Sequence, residues 1–266
     1  MLFFIFLFGL IIGSFINCLI WRLHTGEGLL NRSYCPKCKS QIAWYDNLPV
    51  LSFLILRGRC RHCKKNISWQ YPLVELIVGA LFVLAWQADL SRTGLGEFDI
   101  ESGITGLRLS FLILVIRDWF LISVMTVIFI FDLRWYLILD IITLPSALIV
   151  LVLNLMLGQE WQGLVFSGII GGGFFLAQFV ISKGKWIGGG DIRLGLLMGL
   201  SLGWPGVAIA IMIAYFTGSI VGVGLIAGGK KKWGSEIPLG VFLSLATIIT
   251  LFWGNEILNW YFGLFG

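Results

Sequence analysis

Two aspartates stand out because apolar sequence lies on both sides of each. Asp132 ends the run SVMTVIFIF, and Asp191 follows three glycines in WIGGGDIRLG. An ionisable group at the edge of a membrane span is costly unless it faces a cavity or a partner, so a functional role is the default hypothesis. Two carboxylates in one site resist ionising together, and such a pair can activate water for direct attack on a peptide carbonyl. The pattern therefore indicates aspartic-protease chemistry if the fold brings the two residues together.

The glycines before Asp191 predict an unusually permissive backbone. Gly188, Gly189 and Gly190 can adopt a positive φ and allow another chain to approach closely, as an extended substrate needs. A glycine-rich turn can also bind phosphate on free amide groups, but an aspartate at the turn would repel phosphate, and GGGD does not match the P-loop motif. A third interpretation is that Asp191 only N-caps the following helix. The residues alone leave this last alternative open.

Four cysteines form two CxxC knuckles in the segment 22–71. Cys35 and Cys38 lie in YCPKC, Cys60 and Cys63 lie in GRCRHC, and 21 residues separate the knuckles. Four thiolates suit tetrahedral Zn(II) and leave no open coordination position, which favours a structural metal over a catalytic one. A pair of disulfides or free thiols is the alternative, and the cytoplasmic placement inferred below disfavours disulfides. A domain this small would draw much of its folding free energy from the metal.

The composition predicts an all-α, polytopic membrane helix bundle with this cysteine segment as its small cytoplasmic domain. The 266 residues have a mean hydropathy of +0.93, and only 12% are charged. The apolar runs are long enough to cross a bilayer. The expected spans are about 2–20, 72–88, 109–131, 138–157, 164–182, 192–203, 205–228 and 238–255. The third contains Arg117 and Asp118, which suggests an interfacial start to that span or a pairing of the two residues.

The distribution of basic residues predicts the orientation of the spans. Most lysines and arginines lie in the segment 22–71, between the fifth and sixth spans, or before the last span. The positive-inside rule then places these segments and both aspartates on the cytoplasmic side, with the N-terminus outside. The acids assigned to the loop between spans two and three suit the outer face; they are Asp89, Glu97, Asp99 and Glu101. The net charge of +5 thus reflects topology, and no nucleic-acid partner is expected.

Five segments, in order, resemble the bacterial prepilin peptidases, the type IV leader peptidase family. They are GSFINCLIWRL at 13–23, DNLPVLSFLILRGRCRHCKKNISWQYPLVELIVG at 46–79, FDLRWYLILDIITLP at 131–145, GGGDIRLG at 188–195 and EIPLGVFL at 236–243. The GxGD motif by itself also resembles that of presenilin-type proteases, whereas the ordered set of five is specific to the prepilin peptidases.

The resemblance implies an integral inner-membrane aspartic peptidase that removes the basic leader of type IV prepilins and pseudopilins after a glycine, at the cytoplasmic face. Many members then N-methylate the new N-terminus with S-adenosylmethionine. The motifs carry the catalytic pair onto Asp132 and Asp191, supported by Gly188 and Gly190. The zinc ligands of the family correspond to Cys35, Cys38, Cys60 and Cys63. The expected partners are prepilin or pseudopilin substrates and membrane lipid.

This resemblance divides the chain into four parts. They are a first span at 1–21, a four-cysteine zinc domain and possible methyltransferase region at 22–71, a second span with an outer loop at 72–107, and a peptidase membrane core at 108–266.

The sequence departs from the family pattern at Leu139, where the family commonly has proline. The turn after Asp132 is therefore expected to change.

Two functions of other classes remain as alternatives. A transporter or channel would use the carboxylates to carry protons or cations, but the chain lacks a clear inverted repeat and its acids lie at interfaces rather than at the midplane. A non-catalytic scaffold would use the zinc loop to dock a partner.

Overall fold

The described part of the chain folds into helices joined by loops and turns. A computed structural model describes residues 1–28, 31–94, 105–232 and 235–264. The helices are α1 Leu2–Thr25, α2 Leu51–Ile55, α3 Gln70–Thr93, α4 Thr105–Trp135, α5 Asp140–Met156, α6 Trp161–Ser182, α7 Gly189–Leu202, α8 Gly206–Ala227 and α9 Leu239–Gly263. Within these ranges, β pairing is confined to two single bridges, Tyr34 with Gln41 and Arg59 with Asn66. The expected all-α class is confirmed.

Within the described ranges, six helices are long and apolar enough to cross a membrane, so the chain is a membrane-integral protein. They are α1, α3, α4 from Leu109, α6, α8 and α9. Six lies at the lower end of the expected count of about eight, plus or minus one or two, because α5 has 17 residues and α7 has 14. At 1.5 Å per residue these two helices are about 26 and 21 Å long, which is short of a hydrocarbon core of about 30 Å.

Two details of the expected spans have different outcomes. The separation of the sixth and seventh spans is confirmed, since α7 ends at Leu202 and α8 begins at Gly206. The interfacial start of the third span stays a prediction; Arg117 and Asp118 lie inside α4 and are buried. The alternative, that these two residues pair, is confirmed by a distance of 2.5 Å between Arg117 Nη2 and Asp118 Oδ1.

The chain divides into two compact units, residues 1–88 and residues 89–266. In the first unit, α1 packs against α3 through glycines. A Cβ atom on Gly9 would lie 2.6 Å from Gly79 Cα, and one on Gly13 would lie 2.7 Å from the backbone of α3. The two backbones therefore touch, as small residues permit between membrane helices.

In the second unit, glycines bring α7 against α6. A Cβ atom on Gly171 would lie 2.2 Å from the carbonyl oxygen of Gly195. One on Gly199 would lie 2.1 Å from the carbonyl oxygen of Ser167. Each contact is between two backbones, so no side-chain movement can make room for a methyl group. These contacts fix the position of the helix that carries Asp191.

A buried polar network joins further helices of the second unit. Arg117 Nη1 donates to Asn154 Oδ1 at 3.0 Å, and Asn154 Nδ2 donates to the carbonyl oxygen of Leu200 at 2.7 Å. Asn154 is fully buried. Because a buried polar group without a partner is costly, this chain of hydrogen bonds ties α4, α5 and α7 in one register.

Arg92 extends the network to α9. Its Nη1 atom lies 3.1 Å from Asp89 Oδ1 and 3.4 Å from Asp118 Oδ2. Its Nη2 atom donates to the carbonyl oxygens of Leu251 and Phe252, directly before the residue at which α9 departs from helical geometry. Asp89 is fully buried in α3, so its expected place in an outer loop is wrong. The other acids of that expected loop, Glu97, Asp99 and Glu101, lie outside the described residues.

The backbone contact between α6 and α7 predicts opposite effects for two alanine substitutions. Gly199→Ala places a methyl group on the Ser167 carbonyl and should lower the free energy of unfolding by about 1–3 kcal/mol through overpacking. Gly173→Ala, with no atom within 4 Å of the added methyl, should be neutral or stabilise by up to about 1 kcal/mol. Denaturant unfolding of the detergent-solubilised variants measures both changes. Equal effects of the two substitutions would contradict this packing.

Candidate active site

Asp132 lies in the last turn of α4 and is held by the start of another helix. Its carboxylate oxygen Oδ2 accepts the backbone N–H of Val241 at 3.0 Å. Val241 lies in the first turn of α9, which follows the N-cap residue Pro238. Only 5% of Asp132 is exposed to solvent. The first amides of a helix lack intrahelical partners and carry partial positive charge, so this position stabilises a negative carboxylate.

Asp191 occupies a matching position on α7. Its Oδ2 atom accepts the backbone N–H of Gly188 at 3.0 Å, and 7% of the residue is exposed. Gly188 is the N-cap residue, so the interpretation of Asp191 as an N-cap is wrong. Asp191 is the third residue of the helix and binds back to the cap, as an acidic residue does in a capping box. Both carboxylates are therefore held at helix N-termini.

Ile138 packs between these two helix N-termini. A Cβ atom on Gly190 would lie 2.8 Å from Ile138 Cβ, and one on Gly240 would lie 3.0 Å from Ile138 Cδ1. The same added Cβ atom on Gly240 would lie 2.9 Å from Asp132 Oδ2. Both glycines are thus required by close packing around the aspartates.

The role expected for the glycine run changes accordingly. None of Gly188, Gly189 and Gly190 has a positive φ, so that expectation is wrong. A close approach does occur, but it occurs at Gly190, and the approaching residue is Ile138 of the same chain.

The fold brings the two aspartates together. The two carboxyl groups lie within electrostatic range of each other, although 58 residues lie between them in the sequence. Both groups are buried, and each keeps its second oxygen free of the backbone hydrogen bond described above. Like charges this close oppose double ionisation, so the pair can hold one proton between them. One such pair offers both a general base and a hydrogen-bond donor.

Sequence reasoning missed a second polar pair near Asp191. Tyr215 Oη on α8 donates to Gln178 Oε1 on α6 at 2.8 Å, and the charge of Asp191 acts on the tyrosine. The Tyr215 ring packs edge-on against Phe174, with ring centroids 5.7 Å apart. The only available signal was the presence of polar residues within apolar helices, and neither residue belongs to a recognisable motif.

Leu139, which stands where the family commonly has proline, has an extended backbone, whereas Tyr136 earlier in the same turn has φ +55°. Leu139 has φ −85° and ψ 123° and is the N-cap residue of α5. This φ is about 20° from the value that proline fixes. The next residue, Asp140, forms an ion pair with Arg193 on α7. The turn therefore joins the start of α5 to the helix that carries Asp191.

The four cysteines of the two knuckles converge on one point. Cys35 Sγ lies 4.0 Å from Cys63 Sγ, and Cys38 Sγ lies 4.0 Å from Cys60 Sγ. All four sulfur atoms lie within 4.8 Å of one another, and none forms a disulfide. A tetrahedral ion with bonds of about 2.3 Å to sulfur requires sulfur atoms about 3.8 Å apart. The cluster therefore fits a metal ion.

The two knuckles share one backbone pattern. Cys35 N–H donates to the Ser40 carbonyl and Cys60 N–H to the Lys65 carbonyl, each at 2.9 Å. The hydroxyl and the backbone N–H of Ser40 lower the pKa of the Cys38 thiol to about 6. A lowered pKa favours the thiolate that a metal requires.

Comparison with known proteins places both parts of the chain in one family. The bacterial peptidase A24 N-terminal domain matches residues 7–88, which include the cysteine knuckles. The type IV leader peptidase family matches residues 119–223, which include Asp132 and Asp191.

Three relatives resemble the chain over nearly its full length, and each is named a prepilin leader peptidase/N-methyltransferase. The protein of Aeromonas hydrophila is 33% identical over 97% of this chain and 92% of its own length. The protein of Legionella pneumophila is 29% identical over 97% of this chain and 93% of its own length. The protein of Pseudomonas putida is 30% identical over 94% of this chain and 89% of its own length. No solved structure matches the chain. The chain belongs to the type IV leader peptidase family.

Proposed function

We propose that this protein is a membrane aspartic endopeptidase that removes the basic leader of type IV prepilins or pseudopilins. One observation carries the proposal: Asp132 and Asp191 meet as two buried carboxylates, each held at a helix N-terminus. The names of the relatives supply the substrate class and include N-methylation of the product. The matched families are peptidases, and they give no support to a transporter or channel.

In the proposed mechanism, the ionised member of the pair takes a proton from water while the protonated member donates a hydrogen bond to the scissile carbonyl. The water oxygen then bonds to the carbonyl carbon, and the carbonyl electrons move onto its oxygen. Collapse of this tetrahedral species breaks the C–N bond, and the departing nitrogen takes a proton from the pair. No acyl-enzyme forms, and the pair ends with one proton, as it began.

The short helix α7 suits a substrate that lies in the bilayer. Helices α7 and α8 run from a common turn at residues 203–205, but α7 is about 21 Å long and α8 about 33 Å. Measured along the helix axes from this turn, the start of α7 is therefore about 12 Å nearer than the far end of α8. The apolar helix of a prepilin can lie beside the spans while its basic leader reaches the cytoplasmic side. On this proposal, the N-terminus lies outside and the bacterial inner membrane is the site of action.

The four-cysteine cluster is proposed to hold a structural zinc ion. Four thiolates are soft ligands that suit Zn(II), and a closed set of four leaves no position for water or substrate. His62 lies inside the second knuckle but outside the four-ligand cluster. A bound ion would join Cys35 and Cys38 to Cys60 and Cys63, and so would close the intervening chain into one folded domain.

The N-methyltransferase activity would use S-adenosylmethionine, which supplies a methyl group to the new terminal amine when bound. We assign no residue of this chain to that donor, because the sequence carries no glycine-rich fingerprint for it.

Substitution of either aspartate tests the proposed mechanism. Asp132→Asn and Asp191→Asn should each lower the rate of cleavage at least 100-fold, because an amide can neither take nor give the required proton. Asp140→Asn is the matched control, since its ion pair with Arg193 is half exposed and contributes little, and it should stay within about threefold of wild type. Mass spectrometry of a prepilin with a Gly-Phe junction measures the products. Retained cleavage in either of the first two variants excludes the pair.

The glycine run offers a second, geometric test. Gly190→Ala places a methyl group 2.8 Å from Ile138 Cβ and should lower the cleavage rate at least tenfold by displacing the start of α7. Gly189→Ala meets no atom within 4 Å and should keep near wild-type cleavage. The same prepilin assay compares the two, with thermal unfolding as a control for folding. A larger loss at Gly189 would show that the proposed packing around Asp191 is incorrect.

Metal analysis tests the zinc proposal. The wild-type protein should contain one zinc ion per chain, and Cys38→Ser should lower the content at least tenfold. Two controls should keep it: Cys18→Ser changes the cysteine outside the knuckles, and His62→Ala changes the histidine within them. Elemental analysis of the purified proteins gives the ratio. Retained zinc after Cys38→Ser would assign the ion to another site.

A further inference from the structure

Helix α2 is fixed beside the beginning of a membrane-spanning helix. The backbone N–H of Val50, directly before α2, donates to Glu75 Oε2 at 2.7 Å. Glu75 is buried in the second turn of α3, which is long and apolar enough to cross a membrane. Glu75 is the sixth residue of α3 and lies about 8 Å along the helix from its start, which is comparable with the depth of one headgroup region. The five residues of α2 are therefore held at the level where the bilayer meets water.

The outer face of α2 is apolar. Leu51, Leu54 and Ile55 are 57%, 62% and 71% exposed. Trp69, just before α3, is 69% exposed, and an aromatic residue at this position is typical of membrane interfaces. The first unit buries none of these four side chains, and an apolar surface at interface depth is suited to acyl chains.

A recess with several cations adjoins this apolar face. Its volume is about 410 Å³, and its lining consists of Ile55, Leu56, Arg57, Arg59, Cys60, Arg61 and Lys64. Arg61 is paired, since it donates to the two carboxylate oxygens of Asp46 at 2.7 and 2.6 Å. Across the described residues, no acid lies within ion-pair distance of Arg57, Arg59 or Lys64. The recess therefore presents three uncompensated positive charges.

The backbone beneath these cations is ordered by hydrogen bonds. Gly58 N–H donates to the Phe53 carbonyl at 2.8 Å, and Ile67 N–H donates to the Gly58 carbonyl at 2.7 Å. Gly58 has φ +66°, and a Cβ atom there would lie 3.0 Å from the Phe53 ring. Arg57 and Arg59 thus flank a tight turn that follows α2, whereas the backbone of Lys64 is held in the second knuckle by its N–H bond to the Cys60 carbonyl.

We propose that this recess binds the headgroup of an anionic phospholipid, with α2 lying among the acyl chains. Guanidinium and ammonium groups are strong ligands for phosphate, and basic residues beside a span attract anionic lipids. A basic leader peptide is excluded from the recess by like charge. The apolar side chains of Leu51, Leu54 and Ile55 favour a lipid over a free phosphate compound, which would leave them in water.

Lipid titration of the full-length, zinc-loaded protein tests the proposal. Native mass spectrometry in detergent would compare binding of phosphatidylglycerol and phosphatidylcholine. The triple variant Arg57→Gln/Arg59→Gln/Lys64→Gln should lose affinity for phosphatidylglycerol at least tenfold. The matched control Arg32→Gln/Lys37→Gln/Lys65→Gln removes the same charge from the same domain outside the recess, and should lose less than threefold. Zinc content and thermal unfolding verify the folding of both proteins.

Other results would overturn the proposal. Equal losses in the two triple variants would reduce the effect to general charge attraction, and unchanged affinity in the recess variant would exclude the site. Displacement of the lipid by inorganic phosphate at millimolar concentration would indicate a soluble ligand instead. If the triple variant does not fold, the double variant Leu54→Gln/Ile55→Gln, which keeps every cation, tests the role of α2. We expect it to bind phosphatidylglycerol at least threefold more weakly and to bind glycerophosphate as the wild type does. Unchanged lipid binding in this variant would contradict the role of α2.

Discussion

The site depends on one electrostatic arrangement: two buried carboxylates stand at the N-termini of two helices. Asp191 binds back to the first amide before α7, and Asp132 on α4 binds an amide in the first turn of α9. The orphan amides and the dipole of each helix favour a negative carboxylate, whereas burial and the charge of the other aspartate oppose it. In the proposed mechanism, this balance lets the pair share one proton. It also explains why the helices must begin where they do, since a shift of one residue would remove the amide from the carboxylate.

The rest of the second unit fixes those helix starts. Helix α7 contacts α6 backbone to backbone through glycines, which leaves no freedom to slide. At its other end, the carbonyl of Leu200 is bound by Asn154, which is bound in turn by Arg117 on α4. Helix α4 thus carries the polar network in its middle and Asp132 near its end. The buried ions of this network are costly in an apolar environment unless every member is paired, so the network specifies one arrangement of the helices.

The first unit uses the same means for a different purpose. Glycines bring α1 against α3, and a buried carboxylate, that of Glu75, binds the backbone at Val50. This bond attaches the cysteine knuckles to the membrane helices at a fixed level. The expected cost of burying Glu75 at an interface is offset by a hydrogen bond to the backbone rather than by an ion pair. A small domain with a thin core is thereby held by its four-cysteine cluster on one side and by this contact on the other.

The sequence by itself determined the chemistry and the class of the fold. Long apolar runs predict membrane helices wherever they occur, and two CxxC knuckles predict a four-thiolate cluster because ligand type and spacing are local properties. The family resemblance selected Asp132 and Asp191 from the acids of the chain.

Local patterns also failed in identifiable ways: α5 and α7 are too short to count as spans, and the glycines before Asp191 have ordinary φ values. Only the tertiary structure decided that Ile138 lies between the helix starts that hold Asp132 and Asp191, that Asp89 and Asp118 share Arg92, and that Tyr215 and Gln178 lie near Asp191. These are contacts between residues far apart in sequence, and they depend on the packing of helices, which no local pattern of residue types specifies.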